Sequence, residues 1–180
     1  MTTKVATHEG VLRPALLREL EEFRCPGRRV SSYYLNLDPD RFVNHDVGAQ
    51  PAAIKDDLRN ITAAIDQLGE SHAVREALRR DVEVAADMAD DLAGRRGMRS
   101  LALFVASEAD YARAFTMPWP VRDRAFFEDH FVLWPLRQWL DQSDRYCVCL
   151  TDTAQAAVVH FWQDQPRLQQ VGGIATRARY

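Results

Sequence analysis

The spacing of apolar residues predicts two long helices in the middle of the chain. After Pro51, a good first helical residue, apolar residues recur every three or four positions, which is the period of one helical face. They are Ile54, Leu58, Ile61, Ile65 and Leu68. A second stripe runs from about Ala73 to Leu92, and residues 69–72 between the two offer Gly69 as a C-cap and Ser71 as an N-cap. The pattern therefore predicts an antiparallel helical hairpin with a projecting tip.

Shorter apolar runs on either side of the hairpin predict the remaining elements of a first domain. Residues 30–37 are rich in β-branched and aromatic side chains, as in a strand. Residues 101–106 form a continuous apolar run of strand length, which predicts burial on both faces. We also expect an amphipathic helix over residues 12–23, a strand over 112–117 and a short helix over 131–140. The chain is thus predicted to be α+β or α/β, a mixed sheet packed with helices.

The end of the chain predicts part of a second domain. Residues 146–150 and 156–162 read as a β-hairpin, and a short strand near 168–171 completes a partial meander. The polar residues 142–144 form the predicted boundary, giving domains 1–141 and 142–180. Because so small a sheet is marginal alone in water, we expect it to lean on the first domain, to pair with a second copy, or to continue into a longer protein.

Charge restricts how this chain could contact RNA. The formal net charge is -3, and residues 51–95 carry 6 basic and 10 acidic side chains, so the composition excludes a general nucleic-acid binder. Any RNA contact has to be local. The candidate basic positions are Arg24, Arg28 and Arg29 before the first predicted strand, Arg95, Arg96 and Arg99 after the hairpin, and Arg177 and Arg179 at the end of the chain. The start of the chain has no apolar signal region and no later run has the length of a membrane span, so the expected location is the cytoplasm.

Possible catalytic and metal-binding groups are few. Cys147 and Cys149 point to one face of a predicted strand, but no basic residue lies beside them, and buried core positions are the favoured interpretation. Three cysteines without a Cys-x-x-Cys pair predict neither a disulfide framework nor a zinc site. Consecutive residues point in different directions, so residues 128–130, Glu-Asp-His, are interpreted as a solvated linker. No metal or other cofactor is predicted.

The order and texture of these elements resemble one known family. The elements that carry the resemblance are the helix containing residues 16–20, the strand 32–37, the helical hairpin, the segment 97–104, and the strands 146–152 and 156–161. The arrangement resembles the N-terminal domain and the start of the central domain of archaeal and eukaryotic peptide-chain release factors and Pelota, and their bacterial relatives in particular. In that family an Asn-Ile-Lys-Ser motif at the hairpin tip reads the stop codon, whereas this tip reads Gly-Glu-Ser-His.

The resemblance implies a ribosome-binding module without catalysis of its own. The family hydrolyses peptidyl-tRNA through a Gly-Gly-Gln loop, and this chain has Gly172-Gly173-Ile174 at about that point. The expected function is therefore a non-catalytic, ribosome-associated role in rescue or hibernation, with ribosomal RNA as partner. The residues expected to contact RNA are Ser71, His72, Arg75, Arg28, Arg29, Arg95 and Arg96.

Two other functions remain open from the sequence. The first is a protein-interaction module that dimerises through the strands from Tyr146 to Trp162, since unpaired strand edges favour such pairing. The second is a small hydrolase, which would need His130 or His72 beside a nucleophile. The spacing of residues offers no such arrangement, so the hydrolase ranks last.

Overall fold

The structure is a computed structural model, and it describes residues 14–42, 44, 46–93, 97–142, 146–151, 156–162 and 165–171. The chain divides into two compact units, Met1–Pro135 and Leu136–Tyr180. The first unit contains a four-stranded sheet with helices, and the second contains a three-stranded sheet. The mixed α+β class predicted from the sequence is confirmed.

The sheet of the first unit is antiparallel throughout. Its strands are β1 (Val30–Asn36), β2 (Ser100–Ala106), β3 (Tyr111–Met117) and β4 (Arg124–Glu128), in the spatial order β3-β2-β1-β4. β1 pairs with both β2 and β4, and β2 pairs with β3. The sequence analysis did not predict β4, because five residues between two linkers carry too little periodic signal. Its partner, β1, lies almost a hundred residues away along the chain.

The predicted helical hairpin is confirmed and covers one face of this sheet. It consists of α2 (Gln50–Asp66) and α3 (His72–Leu92). The apolar stripes of both helices pack in one core cluster with side chains from alternate positions of β1 and β2, among them Tyr33 and Leu103. Ile61, Leu68 and Val74 are only partly buried, because they lie at the margin of the same cluster.

The opposite face of the sheet is covered by α1 (Pro14–Glu22) and by the segment before the last helix. Phe131 packs edge-on against Phe104 of β2, with ring centroids 5.4 Å apart, and stacks on Phe23 at 4.9 Å. The Tyr34 hydroxyl donates to the Val132 carbonyl at 2.6 Å. With layers on both faces, every residue of β2 is buried, as the continuous apolar run predicts.

The second unit contains the predicted meander. Its strands are β5 (Tyr146–Thr151), β6 (Ala156–Trp162) and β7 (Gln165–Val171), in the order β5-β6-β7. β7 begins three residues earlier than predicted. The preceding helix, α4 (Trp134–Gln142), spans the division between the two units. In the described part of the chain, no helix combines the length and apolarity that crossing a membrane requires.

Candidate functional site

The hairpin tip, residues 67–71, is shaped by hydrogen bonds at both helix ends. Ser71 is the predicted N-cap of α3, and its hydroxyl accepts from the Val74 amide at 3.3 Å. The Gly69 C-cap prediction is wrong, because α2 ends at Asp66 with Gln67 as its cap residue. Arg75 reaches back to the Leu68 carbonyl at 3.5 Å. Ser71 and Arg75 therefore both contribute to holding the tip in place.

Arg29 ties the tip to the sheet. Its guanidinium lies 2.8 Å from a carboxylate oxygen of Glu70 in the tip and 3.6 Å from one of Glu128 at the end of β4. The expectation of a projecting tip is therefore wrong. The ion pair holds it beside the start of β1, and Leu68 packs against the core cluster. Three segments that are distant in sequence thus meet at one end of the sheet, and we call this arrangement the tip site.

An open groove accompanies the tip site. Its volume is about 320 Å³, and its lining combines apolar and charged side chains. The lining residues are Arg29, Leu68, Glu70, Leu78, Ala125, Phe126, Phe127 and Glu128. Four of the five residues of the edge strand β4 contribute, so the groove runs along the strand that the sequence analysis missed. The Arg29 side chain is 40% exposed and remains accessible to a ligand.

Arg28 is held by a different carboxylate. It forms an ion pair with Glu108 in the 3-10 turn Ser107–Ala109 that follows β2. The hydrogen bond to Glu108, and then the charge of that carboxylate, raise the pKa of Arg28. Because half of the Arg28 side chain is exposed, this pair is a solvent-screened surface pair of the kind that contributes little to stability.

The turn that carries Glu108 is anchored by a buried carboxylate. Asp81 of α3 is 3% exposed; it accepts from the Ser31 hydroxyl at 2.7 Å and from the Ser107 amide at 2.8 Å. Burial raises the pKa of Asp81 to about 6, and the hydrogen bonds from Ser107 and Ser31 oppose that rise. A core carboxylate therefore fixes the position of the turn to which Arg28 binds. The sequence offered no signal for this role beyond an acidic residue within an apolar stripe.

The structure places the seven residues predicted to contact RNA in different surroundings. Arg29 lies beside Glu70 in the tip, and His72 is exposed at the first position of α3. Ser71 and Arg75 bond to the hairpin backbone, while Arg28 pairs with Glu108. Arg95 and Arg96 lie outside the described residues. Of the predicted set, the structure thus brings Arg29 together with the tip residues.

The acidic residues and the histidine at the end of β4 do not converge. Glu128 points to Arg29, whereas the His130 ring contacts its neighbour Asp129 at 2.6 Å. The hydrogen bond from His130 lowers the pKa of Asp129. Both Asp129 and His130 are exposed, as expected for a solvated linker.

A second polar cluster lies at the other end of β1, around Arg99, which the sequence analysis named as a candidate basic position without its acidic partners. Arg99 donates to Asp38 at 2.8 Å and to Asp40 at 2.9 Å. Nearby, the Gln50 amide donates to the Leu37 carbonyl at 2.7 Å. Asp38 is 7% exposed and also caps the turn that follows β1. Arg99 is therefore engaged in holding a loop, and we assign this cluster a structural role.

The two cysteines of β5 contradict the sequence interpretation. Cys147 and Cys149 were predicted to lie in a core, but both are exposed. The apolar residues between and after them, Val148 and Leu150, are 39% and 61% exposed. Both β5 and β3 lie at the edge of a sheet, but β3 belongs to a sheet covered by helices and has four of its seven residues buried, whereas residues 147–150 of β5 are all exposed. The apolar sequence of β5 therefore predicted more burial than the strand has.

Comparisons with known proteins give a likeness in structure but none in sequence. No protein-family model matches the chain, and no curated protein sequence matches it. A solved structure named as an archaeal protein is 17% identical, with a TM-score of 0.49, over 92% of this chain and 46% of that one. The crystal structure of an archaeal translation termination factor, aRF1, is 20% identical, with a TM-score of 0.47, over 89% of this chain and 42% of that one.

The chain spans less than half the length of either of these structures. Both TM-scores are below 0.5, so neither likeness by itself assigns a function to this chain.

Proposed function

We propose that this chain is a non-catalytic, release-factor-like module that binds the ribosome in the cytoplasm through the tip site. The observation that carries the proposal is the convergence of Arg29 with the hairpin tip, two segments 41 residues apart in the sequence. The order of elements that resembles the release-factor and Pelota family supports the same function. Ribosome rescue and hibernation are the two processes that a module of this kind would serve.

The charge pairs of the tip site, and the neighbouring pair of Arg28 with Glu108, are compatible with an RNA ligand. Exposed arginine–carboxylate pairs contribute little to stability, so an incoming phosphate can replace Glu70 or Glu108 at little cost. The guanidinium fork also matches phosphate oxygens in two simultaneous hydrogen bonds. Arg28 and Arg29 are 50% and 40% exposed, so both can change partners without unfolding the chain.

The groove beside β4 supplies the second element of RNA recognition. Unpaired RNA bases are commonly recognised by stacking on aromatic side chains and by hydrogen bonds to their edges. Phe126 and Phe127 line the groove, and Glu70 and Glu128 offer acceptors at its rim. A single-stranded or bulged RNA segment therefore suits this surface better than a regular duplex.

The test is co-sedimentation of the full chain with ribosomes at a series of salt concentrations. We expect the affinity for ribosomes to fall as the salt concentration rises. Each phosphate contact should contribute about -0.7 to -0.9 to the slope of log affinity against log salt concentration. The Arg29→Ala/His72→Ala double variant should weaken binding and reduce the slope by about one contact. Arg75 is left intact, because its bond to the Leu68 carbonyl makes it part of the fold.

The matched control is Arg59→Ala. Arg59 is an exposed arginine on α2 that pairs with Asp56, so its removal deletes the same charge outside the tip site. Equal loss of binding in this control and in the double variant would mean that only net charge matters, which contradicts a specific tip site. Failure of the wild-type chain to pellet with ribosomes from growing, stressed and stationary cells would overturn the proposal.

One observation favours the alternative of a protein-interaction module. Val148 and Leu150 are exposed apolar residues on β5, an edge strand with an open row of backbone groups. A second copy pairing through β5 would cover them. The mass of the chain in solution tests this: a dimer that is lost in Leu150→Lys and that does not pellet with ribosomes would replace the ribosomal proposal.

A further inference from the structure

An exposed tryptophan lies beside an arginine at the edge of the first sheet. Trp134, the first residue of α4, is 47% exposed. The Arg124 guanidinium lies over its indole ring, 5.2 Å from the ring centroid. The Phe126 ring meets the same indole edge-on, with centroids 6.3 Å apart. An apolar ring surface and a positive charge are therefore open to water side by side.

The three side chains share one face of the edge strand β4. Alternate residues of a strand point to opposite faces of its sheet. Phe127 packs against the core cluster beneath the hairpin, whereas the Phe126 ring packs edge-on against Tyr34, whose hydroxyl bonds to the layer on the other face. Arg124 and Phe126 therefore lie on the face opposite the hairpin, where Trp134 contacts both of them.

We propose that Arg124, Phe126 and Trp134 form an aromatic platform that binds an unpaired base of single-stranded RNA, with Arg124 contacting the neighbouring phosphate. The inference rests on the proposed ribosomal function and gives the bound RNA a contact beyond the tip site. Unpaired bases commonly stack on aromatic rings and on the planes of arginine guanidinium groups. The aromatic platform offers both kinds of surface side by side.

The charges around the aromatic platform favour an anionic ligand. Among the side chains that the structure describes, no carboxylate forms an ion pair with Arg124, and Arg122 beside it is also exposed. Asp123, between the two arginines, pairs with Arg41 at 3.2 Å, so its charge is compensated. The N–H donors of a guanidinium lie in its plane, so stacking on an indole leaves them able to bond to phosphate oxygens. A planar base attached to a phosphate fits both properties of this surface.

The aromatic platform and the tip site lie at opposite ends of β4. The strand from Arg124 to Glu128 spans about 14 Å, at a rise of about 3.4 Å per residue. At its far end, Glu128 lies 3.6 Å from the Arg29 guanidinium. β4 is an edge strand, so in the described part of the chain no further strand covers its outer side. One unpaired RNA segment that follows this edge would meet an arginine at each end.

Fluorescence anisotropy of a labelled single-stranded oligoadenylate, titrated with the full chain, tests the aromatic platform. We expect binding that weakens as the salt concentration rises. Trp134→Ala should weaken the affinity by about 5–150-fold, the range that corresponds to loss of one base–aromatic stack. Arg124→Ala should also weaken it and should reduce the slope of log affinity against log salt concentration by about 0.7, the value for one phosphate of a single strand.

The matched control is Trp119→Ala. Trp119 is 43% exposed and follows β3, the other edge strand of the sheet, and among the described residues no arginine lies over its ring. Its removal should leave the affinity for the oligoadenylate unchanged. Trp134→Phe keeps a ring for stacking and should retain most of the affinity, whereas Trp134→Leu keeps only apolar surface and should bind as weakly as Trp134→Ala. The difference between these two variants reports stacking even where the alanine variant fails to fold.

The aromatic platform is overturned if the wild-type chain does not bind the oligoadenylate, if Trp119→Ala loses as much affinity as Trp134→Ala, or if Trp134→Leu binds as the wild type does. A dimer that dissociates in Trp134→Leu would overturn it too, by assigning this surface to a contact between copies. Ribosome pelleting without oligoadenylate binding rejects the platform and leaves the tip site in place. Oligoadenylate binding without pelleting rejects the ribosomal function and leaves the platform.

Discussion

Strands β2 and β5 have similar apolar sequences and very different surroundings. β2 reads Ser-Leu-Ala-Leu-Phe-Val-Ala and is buried at every position. β5 reads Tyr-Cys-Val-Cys-Leu-Thr, yet residues 147–150 are exposed. β2 is an inner strand between β1 and β3 with layers on both faces, whereas β5 is the edge of a three-stranded sheet. Apolar texture thus predicts a strand, but its neighbours in space decide whether the strand is buried.

The largest expected effect on the free energy of unfolding comes from replacing a leucine by alanine in β2, compared with the same replacement in β5. Leu103→Ala in β2 removes a side chain that is 0% exposed, so it should lower the free energy of unfolding by about 2–5 kcal/mol. Leu150→Ala in β5 removes one that is 61% exposed and should change it by less than about 0.5 kcal/mol. Amide hydrogen exchange in β1 and β2 reports the stability of the first unit directly. Equal effects of the two substitutions would contradict the contrast between the strands.

The second prediction concerns the buried carboxylate Asp81 and the dependence of the free energy of unfolding on pH. The pKa of Asp81 is raised by burial to about 6, above its value of about 3.9 in an unfolded chain. The folded state therefore binds more protons between those values, and the free energy of unfolding should fall by about 2 kcal/mol as pH rises from about 4 to 6. Asp81→Asn should remove this fall, because its amide does not titrate.

Urea unfolding at a series of pH values measures this effect. The matched control is Asp56→Asn, which changes an exposed carboxylate of α2 with a side chain 67% exposed. The control should keep the pH profile of the wild type. A profile for Asp81→Asn that still falls between pH 4 and 6 would assign the titration to another group.

The smallest effect is expected for the exposed thiol of β5. Cys149→Ser replaces a sulfur by an oxygen at an exposed position, so the free energy of unfolding should change by less than about 0.5 kcal/mol. Thermal unfolding under reducing conditions measures this change. A loss above 1 kcal/mol would indicate that the thiol is enclosed, and that β5 resembles β2 after all.

The tip site and the loop cluster at the other end of β1 make a second contrast. Both pair arginine with carboxylates, but Asp38 is 7% exposed and caps a turn, whereas Glu70 is exposed enough to exchange its partner. Charge pairs that are partly withdrawn from water hold a loop in place. Those that remain solvated are free to be replaced by a ligand, which is why the proposed RNA contact lies at the tip.

The sequence by itself determined the elements whose signal is local. The helical stripes of α2 and α3, the strand texture of β1 and β2, and the Ser71 cap all follow from residues close together along the chain. Periodicity and capping depend on spacings of two to four residues, which a single sequence displays directly.

Only the tertiary structure decided the features that join distant segments. The pairing of β4 with β1, and with it the meeting of Arg29 with Glu128, depends on strand register. The contact of Arg29 with Glu70 depends on how the hairpin packs on the sheet. Register is set by the packing of whole faces, and a shift of one residue would turn every side chain to the other side. The composition of a segment does not show which distant segment it will contact, and the proposed tip site depends on such contacts.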